Sequence, residues 1–246
     1  MNNQFFIVGA QRSGTTYLYS ILDEHPEVCM AKPLRPEPKY FLQNEIDLDT
    51  YYSKYYKNCT KATKIFGEKS TSYYENKEVA QKVANYFPNA KIIFILANPV
   101  DRAISNYKFS YINGLETRDI EEVFINEKKI DVTKYITSVN PFRYKERGVY
   151  HKFLDYYYKV FPQKNIKVII KENFTGNLEE IQSLYTFLEI DNNIIPNSYT
   201  KVINKSKNTI EESILNRVKT KLFDYYKEHN IMLSTKYGLD LAVWDN

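Results

Sequence analysis

The chain has 246 residues, 43% hydrophobic and 26% charged, which is typical of one globular α/β domain or at most two small ones. Its net charge of +4 suits an anionic ligand but is far below that of nucleic-acid-binding proteins, so no nucleic-acid partner is expected. The two cysteines, Cys29 and Cys59, lie in no short-range pairing motif, and the three histidines are scattered, which argues against a disulfide framework and a metal site.

Short apolar runs alternate with helical patterns along the chain. Strands are predicted at 5–8, 28–30, 65–68, 91–96 and 166–170, and helices at 15–24, 77–87, 147–161, 178–188 and 210–229, with a further helix beginning at Pro99. Continuous apolar strands that alternate with helices form parallel sheets covered on both faces. We therefore predict an α/β fold, a single P-loop-type domain over residues 1–246 with a central parallel sheet and helices on both faces.

Two segments, 35–56 and 130–144, look irregular and are candidate substrate-facing loops. No run approaches the ~20 apolar residues that a membrane-spanning helix needs, and no signal peptide is visible before the first strand. These patterns predict a cytoplasmic protein without a membrane anchor, and they leave the oligomeric state open.

The strongest single signal is a glycine-containing loop between the first strand and the first helix. Residues 6–16 read FIVGAQRSGTT, with Gly9 and Gly14 five residues apart. Loops of this kind cradle phosphate groups with backbone N–H groups and a helix N-terminus, and glycine permits the tight turn. A purely structural turn is the alternative. The residues expected to bind a phosphate-like group are Gln11, Arg12, Ser13, Gly14, Thr15 and Thr16.

This loop differs from the P-loop of a nucleoside triphosphatase in two ways. Thr15 stands where that loop has its lysine, and the nearby cation is Arg12 instead. The strand at 91–96 is followed by Ala97-Asn98-Pro99 and not by an aspartate that could hold Mg²⁺. The loop is therefore expected to bind a phosphate-like group without a metal, and a P-loop phosphotransferase is the less favoured alternative.

Taken in order, the motifs resemble the sulfotransferases that use 3′-phosphoadenosine 5′-phosphosulfate (PAPS), above all the carbohydrate branch with the heparan sulfate enzymes. The similar segments are the loop at 9–16, PEPKYF at 36–41, FGEKSTSY at 66–73, ILANPVDRAISNY at 95–107, RGVY at 147–150 and DLAVW at 240–244. The resemblance implies transfer of a sulfuryl group from PAPS to a hydroxyl or amine, without a metal. It also implies a saccharide acceptor and 3′,5′-bisphosphoadenosine as the product.

The same resemblance implies catalytic roles for three residues. Arg12 would bind the 5′-phosphosulfate, Glu37 would be the general base, and Lys69 would stabilise the bridging oxygen and orient the acceptor. Glu68 is the rival carboxylate for the base. The histidine base of the cytosolic branch has no counterpart here, because no histidine lies in a Lys-Thr-His context.

The nucleotide contacts implied by the resemblance include Asn98 and Ser105 in the 3′-phosphate element and Lys205 in a polar loop before the last helix. One position departs from the family, because Ala97 stands where an arginine usually grips the 3′-phosphate. Losing such a charge-assisted contact costs about 1.5–3 kcal/mol of binding. Either another cation such as Lys205 or Lys207 compensates, or the chain is weakened, engineered or non-catalytic.

Overall fold

Five short strands form one parallel sheet with the order β2-β3-β1-β4-β5. The structure, a computed structural model, describes residues 3–133, 135, 137–200 and 210–245. The strands are β1 (Gln4–Gly9), β2 (Val28–Met30), β3 (Ile65–Lys69), β4 (Lys91–Leu96) and β5 (Ile166–Ile170). They are almost wholly buried, as expected for a parallel sheet with covered faces.

The helices alternate with these strands. They are α1 (Thr15–Asp23), α2 (Leu48–Tyr55), α3 (Lys77–Tyr86), α4 (Pro99–Ile112), α5 (Ile120–Phe124), α6 (Tyr150–Tyr158), α7 (Lys171–Phe174), α8 (Leu178–Leu188) and α9 (Glu212–Tyr237). Short 3₁₀ turns cover Tyr40–Leu42, Glu146–Gly148, Gln163–Asn165 and Ala242–Trp244. In the part of the chain that the structure describes, no helix is long and apolar enough to cross a membrane.

The predicted fold class is confirmed, since a central parallel sheet is flanked by helices. The prediction that 35–56 is irregular is wrong for its second half, which forms α2. The Asp47 side chain caps that helix by accepting hydrogen bonds from the backbone N–H groups of Asp49 and Thr50. Because four of its eight residues are polar or charged and the rest are tyrosine or leucine, α2 has no clear aliphatic periodicity.

The chain divides into two compact units, Met1–Leu96 with Phe153–Ile203, and Ala97–Lys152 with Asn204–Asn246. The first unit holds the whole sheet. The second contains α4, α5 and α9, which pack around an apolar core that includes Ala103, Phe124 and Leu222. One domain over residues 1–246 stays a prediction.

Both faces of the sheet in the first unit are covered by apolar side chains. On one face Phe5 and Ile7 pack in a core with Leu18 of α1 and Leu184 of α8. On the other face Phe6 makes edge or tilted ring contacts, at centroid distances of 5.6 Å to Phe41 and 5.7 Å to Phe87. This alternation along β1 is the period of two that strand geometry imposes.

The cysteines correct one prediction. Cys29 in β2 and Cys59, which follows α2, form a disulfide with a Cα–Cα distance of 5.3 Å. The expectation of unpaired cysteines is therefore wrong. The two lie 30 residues apart, so that only the fold brings them together. The disulfide closes the segment that contains Glu37.

Candidate active site

The glycine loop takes a geometry that requires both of its glycines. A Cβ atom on Gly9 would lie 2.7 Å from Tyr74 Cβ, closer than real contacts allow. Gly14 has φ +90°, a left-handed conformation that side chains disfavour, and it begins α1 without any side-chain cap. The first backbone N–H groups of α1 are thus left for an external acceptor, and the helix dipole favours an anion there.

Ser13 is the clearest sign that this loop is built for a ligand. Its side chain is fully buried, and its hydroxyl has no hydrogen-bond partner within the described part of the chain. Buried polar groups are nearly always hydrogen-bonded in proteins. An unpaired Ser13 hydroxyl in a phosphate-type loop is therefore consistent with a bound oxyanion as its partner. The loop residues therefore fit the phosphosulfate end of the expected donor.

Arg12 lies in this loop in a left-handed conformation, with φ 68°. A non-glycine residue with positive φ is strained by about 1–3 kcal/mol, and such strain concentrates at functional sites. Burial, and second the like charge of Arg35, lower the pKa of the Arg12 guanidinium. An anion between these two arginines would relieve their repulsion.

Glu37 is held by the strand end beside the loop. Its carboxylate accepts a hydrogen bond from Lys69 Nζ at 2.5 Å and another from the Thr71 backbone N–H at 2.9 Å. The Thr71 hydroxyl also donates to it, at 2.9 and 3.1 Å. A carboxylate has about four lone-pair sites, and these three donors leave room for one more. That further donor could be the hydroxyl or amine of an acceptor.

Lys69 connects Glu37 to the glycine loop. Lys69 is the last residue of β3, where it pairs with Ile7 of β1, two residues before Gly9. The ends of neighbouring parallel strands meet at one edge of a sheet, which is where ligands bind in α/β folds. The Lys69 side chain is only 4% exposed and that of Glu37 14%. The pair therefore lies in a sheltered position at the edge where the loop begins.

The residues of the β3 end alternate in function. Lys69 and Thr71 bind Glu37, whereas Glu68 and Ser70 point into a buried hydroxyl network. Within that network the Ser70 hydroxyl donates to Glu68 at 2.6 Å and accepts from the Lys39 backbone N–H at 2.9 Å. Tyr51 also donates to Glu68, at 2.6 Å. This network fixes the backbone that carries Glu37.

The geometry separates the two rival carboxylates. Glu68 is completely buried and surrounded by hydroxyls, so an acceptor could reach only Glu37. Burial raises the pKa of Glu68 above its ordinary 4.5, and the charge of Glu37 adds to this, while hydrogen bonds from Ser70, Tyr51 and Tyr73 oppose it. The Glu68 carboxyl therefore ionises at lower pH in the unfolded chain than in the folded one. As a result, Glu68 lowers the free energy of unfolding as the pH rises from 4.5 towards its raised pKa.

The expected 3′-phosphate residues belong to the second unit. The Asn98 side chain caps α4 by accepting from the Val100 N–H at 3.0 Å, and it donates to the Trp244 carbonyl at 3.2 Å. Ser105 is half-buried seven residues along, on the same face of α4 as Asn98. Ala97 is buried, and its carbonyl accepts a hydrogen bond from the Tyr150 hydroxyl at 2.7 Å. Lys205 and Lys207 lie outside the described residues.

Sequence reasoning missed Thr71 and Arg35. Thr71 follows Lys69 by two residues, so the alternation of a strand end could have placed both on one side. Arg35 precedes Glu37 by two residues, but only the folded loop brings it towards Arg12. Of the other predicted loop residues, Thr15 is buried, while Gln11 and Thr16 are half-buried. No group of three or more metal-ligating side chains occurs in the described ranges.

The fold is that of a sulfotransferase. It matches the crystal structure of a sulfotransferase from Alicyclobacillus acidocaldarius with a TM-score of 0.82 at 23% identity, over 100% of both chains. It also matches the sulfotransferase domain from the curacin biosynthetic pathway, with a TM-score of 0.56 at 12% identity, over 98% of this chain and 99% of that one. At these identities the likeness establishes the fold alone.

The sequence identifies the family. The profile described as “Sulfotransferase domain” matches residues 2–237, so the chain belongs to the sulfotransferase domain family. It is 25% identical to human bifunctional heparan sulfate N-deacetylase/N-sulfotransferase 3 and 24% identical to the membrane-associated sulfotransferase kil1 of Dictyostelium discoideum, in both over 98% of this chain. It spans 31% of the human protein and 66% of kil1. The expected family is thereby confirmed.

Proposed function

We propose that the chain transfers a sulfuryl group from PAPS to a hydroxyl or amine of a saccharide, with Glu37 as the general base. The observation that carries this proposal is the Glu37 carboxylate, held by Lys69 and Thr71 at the sheet edge where the glycine loop begins. The printed names of relatives such as human heparan sulfate N-deacetylase/N-sulfotransferase 3 support a saccharide acceptor.

The donor would be bound through its two charged ends. Arg12, the orphan Ser13 hydroxyl and the first N–H groups of α1 suit the 5′-phosphosulfate. For the 3′-phosphate we propose Asn98 and Ser105 on α4, as the family resemblance implies. Lys205 is proposed on the same ground alone.

The reaction is an in-line displacement at sulfur, in which positioning and electrostatics dominate. The acceptor oxygen or nitrogen forms a bond to sulfur while the bond between sulfur and the phosphate oxygen breaks. The acceptor proton moves to Glu37. The hydrogen bonds from Lys69 and Thr71 leave one lone pair of its carboxylate available to take this proton. Negative charge develops on the departing phosphate, and Arg12 and Lys69 would neutralise it.

Two other functions predict different behaviour. A P-loop phosphotransferase would need Mg²⁺ and ATP, but the loop has no lysine after Gly14, and Ala97-Asn98-Pro99 stands at the end of β4 in place of an aspartate. A non-catalytic PAPS-binding protein would bind the nucleotide without turnover, and Ala97 is the residue that favours it. A cytoplasmic location stays a prediction, and the disulfide weighs against it because disulfides persist mainly in oxidising compartments.

The test is an acceptor screen with PAPS labelled in its sulfuryl group, in the presence of EDTA, across unsulfated polysaccharides and amino sugars. We expect label in at least one acceptor. Nucleotide binding without labelled product from any acceptor would favour the non-catalytic alternative. Transfer from labelled ATP that requires Mg²⁺ would overturn the proposal in favour of a phosphotransferase.

A further inference from the structure

A lysine that the family resemblance does not single out reaches the glycine loop from another strand. Lys171 follows β5 directly, and β4 separates β5 from β1 in the sheet. A Cβ atom on Gly14 would lie 3.4 Å from Lys171 Cγ, 3.5 Å from its Cδ and 3.6 Å from Ile95 Cδ1 of β4. The Lys171 stem and the Ile95 side chain of β4 therefore both lie beside the glycine that begins α1.

The ammonium group of Lys171 is only loosely engaged. Among the described residues its nearest carboxylate is that of Glu172, at 4.0 Å, the outer limit of an ion pair, and the Lys171 side chain is 40% exposed. Exposed pairs of this kind contribute about 0–1 kcal/mol, so Lys171 can exchange this partner for a stronger anion. A multiply charged phosphosulfate at the N-terminus of α1 would be such an anion.

The glycine loop also lacks a cation at the position where other phosphate loops have one. Thr15 follows the second glycine, and Arg12 is the only Lys or Arg among residues 9–16. The stem of Lys171 lies at van der Waals distance from where a Cβ atom on that same glycine would be. The stem of a basic residue from the end of β5 therefore lies beside a loop whose own sequence has no lysine.

We propose that Lys171 binds a non-bridging oxygen of the donor's 5′-phosphosulfate, as the second cation of the glycine loop beside Arg12. This inference rests on the proposed function, because it takes the phosphosulfate of PAPS as the ligand. It makes Lys171 a binding residue for the 5′ end of the nucleotide and leaves the 3′-phosphate to other groups. Glycine at position 14 is required by the left-handed turn, with φ +90°, and not by the Lys171 stem, which a Cβ there would meet at ordinary van der Waals distance.

The experiment compares two ligands that differ only at the 5′ end, 3′,5′-bisphosphoadenosine and adenosine 3′-monophosphate. Their dissociation constants are measured at fixed salt by competition, so that weak binding is registered. The variants are Lys171→Gln and Lys171→Arg. Lys167→Gln is the matched control, since Lys167 lies on β5, four residues before Lys171, and its ammonium already binds the Ser183 hydroxyl at 3.0 Å.

Loss of one charge-assisted hydrogen bond weakens binding about tenfold or more. We expect Lys171→Gln to weaken 3′,5′-bisphosphoadenosine by this factor, while the 3′-monophosphate changes less than twofold. Lys171→Arg should retain most of the affinity, and Lys167→Gln all of it. Thermal unfolding of each variant confirms that it is folded, as expected for substitutions of partly exposed side chains.

Three results would overturn the inference. If Lys171→Gln binds 3′,5′-bisphosphoadenosine within twofold of wild type, Lys171 makes no contact with the 5′ end. If both ligands weaken equally, the effect of Lys171 is not specific to the 5′ phosphate. If the wild-type protein binds no 3′,5′-bisphosphoadenosine, the proposed donor itself is wrong, and this outcome is distinct from the other two.

Discussion

Replacing Glu37 by glutamine tests the proposed base. The hydrogen bonds of Glu37 give the loss of stability that this substitution should also cause. The carboxylate accepts from Lys69 Nζ, from the Thr71 N–H and from the Thr71 hydroxyl. A glutamine that keeps its oxygen on Lys69 turns its NH₂ group towards the Thr71 N–H, so one donor loses its acceptor. Loss of a hydrogen bond to a charged group costs about 1.5–3 kcal/mol. At about 2–4 °C per kcal/mol, Tm should fall by roughly 3–12 °C.

The catalytic effect should exceed this structural one. A positioned base contributes about 10²–10⁴ in rate, so Glu37→Gln should lower kcat at least about a hundredfold at a temperature where the variant is fully folded. The affinity for 3′,5′-bisphosphoadenosine should stay within threefold. Turnover is measured as transfer of labelled sulfuryl from PAPS, and folding by thermal denaturation of the same sample.

The matched control for this substitution is Glu116→Gln in the second unit. Glu116 is also buried and paired, with its carboxylate 2.6 Å from Arg118 Nη2, so the same change of charge should cost similar stability. Its kcat should stay within threefold of wild type. If Glu37→Gln retains kcat within threefold, or if Glu116→Gln loses as much as Glu37→Gln, the assignment of the base is refuted.

Three further predictions follow from other parts of the structure. Glu68→Gln should gain stability relative to wild type as the pH rises above 4.5, because the raised pKa of Glu68 lowers wild-type stability in that range. The free energy of unfolding in urea is measured for both proteins across pH, and a constant difference between them would contradict this. Replacing both cysteines, with Cys29→Ala and Cys59→Ala, removes a disulfide that closes a 30-residue loop and should cost about 3–4 kcal/mol of stability. This corresponds to a fall in Tm of roughly 6–16 °C. An unchanged Tm would show that the bond is not formed. At a hundred times its Kd, 3′,5′-bisphosphoadenosine should add about 2.7 kcal/mol of stability, and equal stabilisation by MgATP in a thermal-shift assay would contradict the nucleotide assignment.

The sheet could be predicted because each strand is a continuous apolar run. Residues 91–96 were predicted with the observed bounds, since Ile, Phe and Leu fill both faces of a buried parallel strand. The helix α2 could not, because tyrosine and lysine obscure its periodicity and its clearest signal is the cap at Asp47. The disulfide was missed for a different reason, since a spacing of 30 residues carries no local pattern.

The site was predictable where its residues are consecutive. Glycine spacing marks a loop such as 9–16 directly, because backbone conformation depends on the local sequence. The contacts of Thr71 and Lys171 could not be read in the same way, since they join segments far apart in the chain. Only the sheet order, in which β1 lies between β3 and β4, brings both segments to one edge. Convergence of this kind depends on tertiary structure rather than on any motif.

Sulfuryl transfer by this chain is tested most directly by the stoichiometry of its reaction with PAPS in EDTA. Sulfuryl-labelled PAPS is mixed with wild-type protein and an acceptor identified in the screen, and both products are quantified in the same sample. We expect one 3′,5′-bisphosphoadenosine to be released for each labelled sulfuryl group covalently attached to the acceptor, with the rate of both lowered at least about a hundredfold in Glu37→Gln. Nucleotide that binds without being converted, or bisphosphate that forms without labelled acceptor, would contradict sulfuryl transfer as the function of this chain.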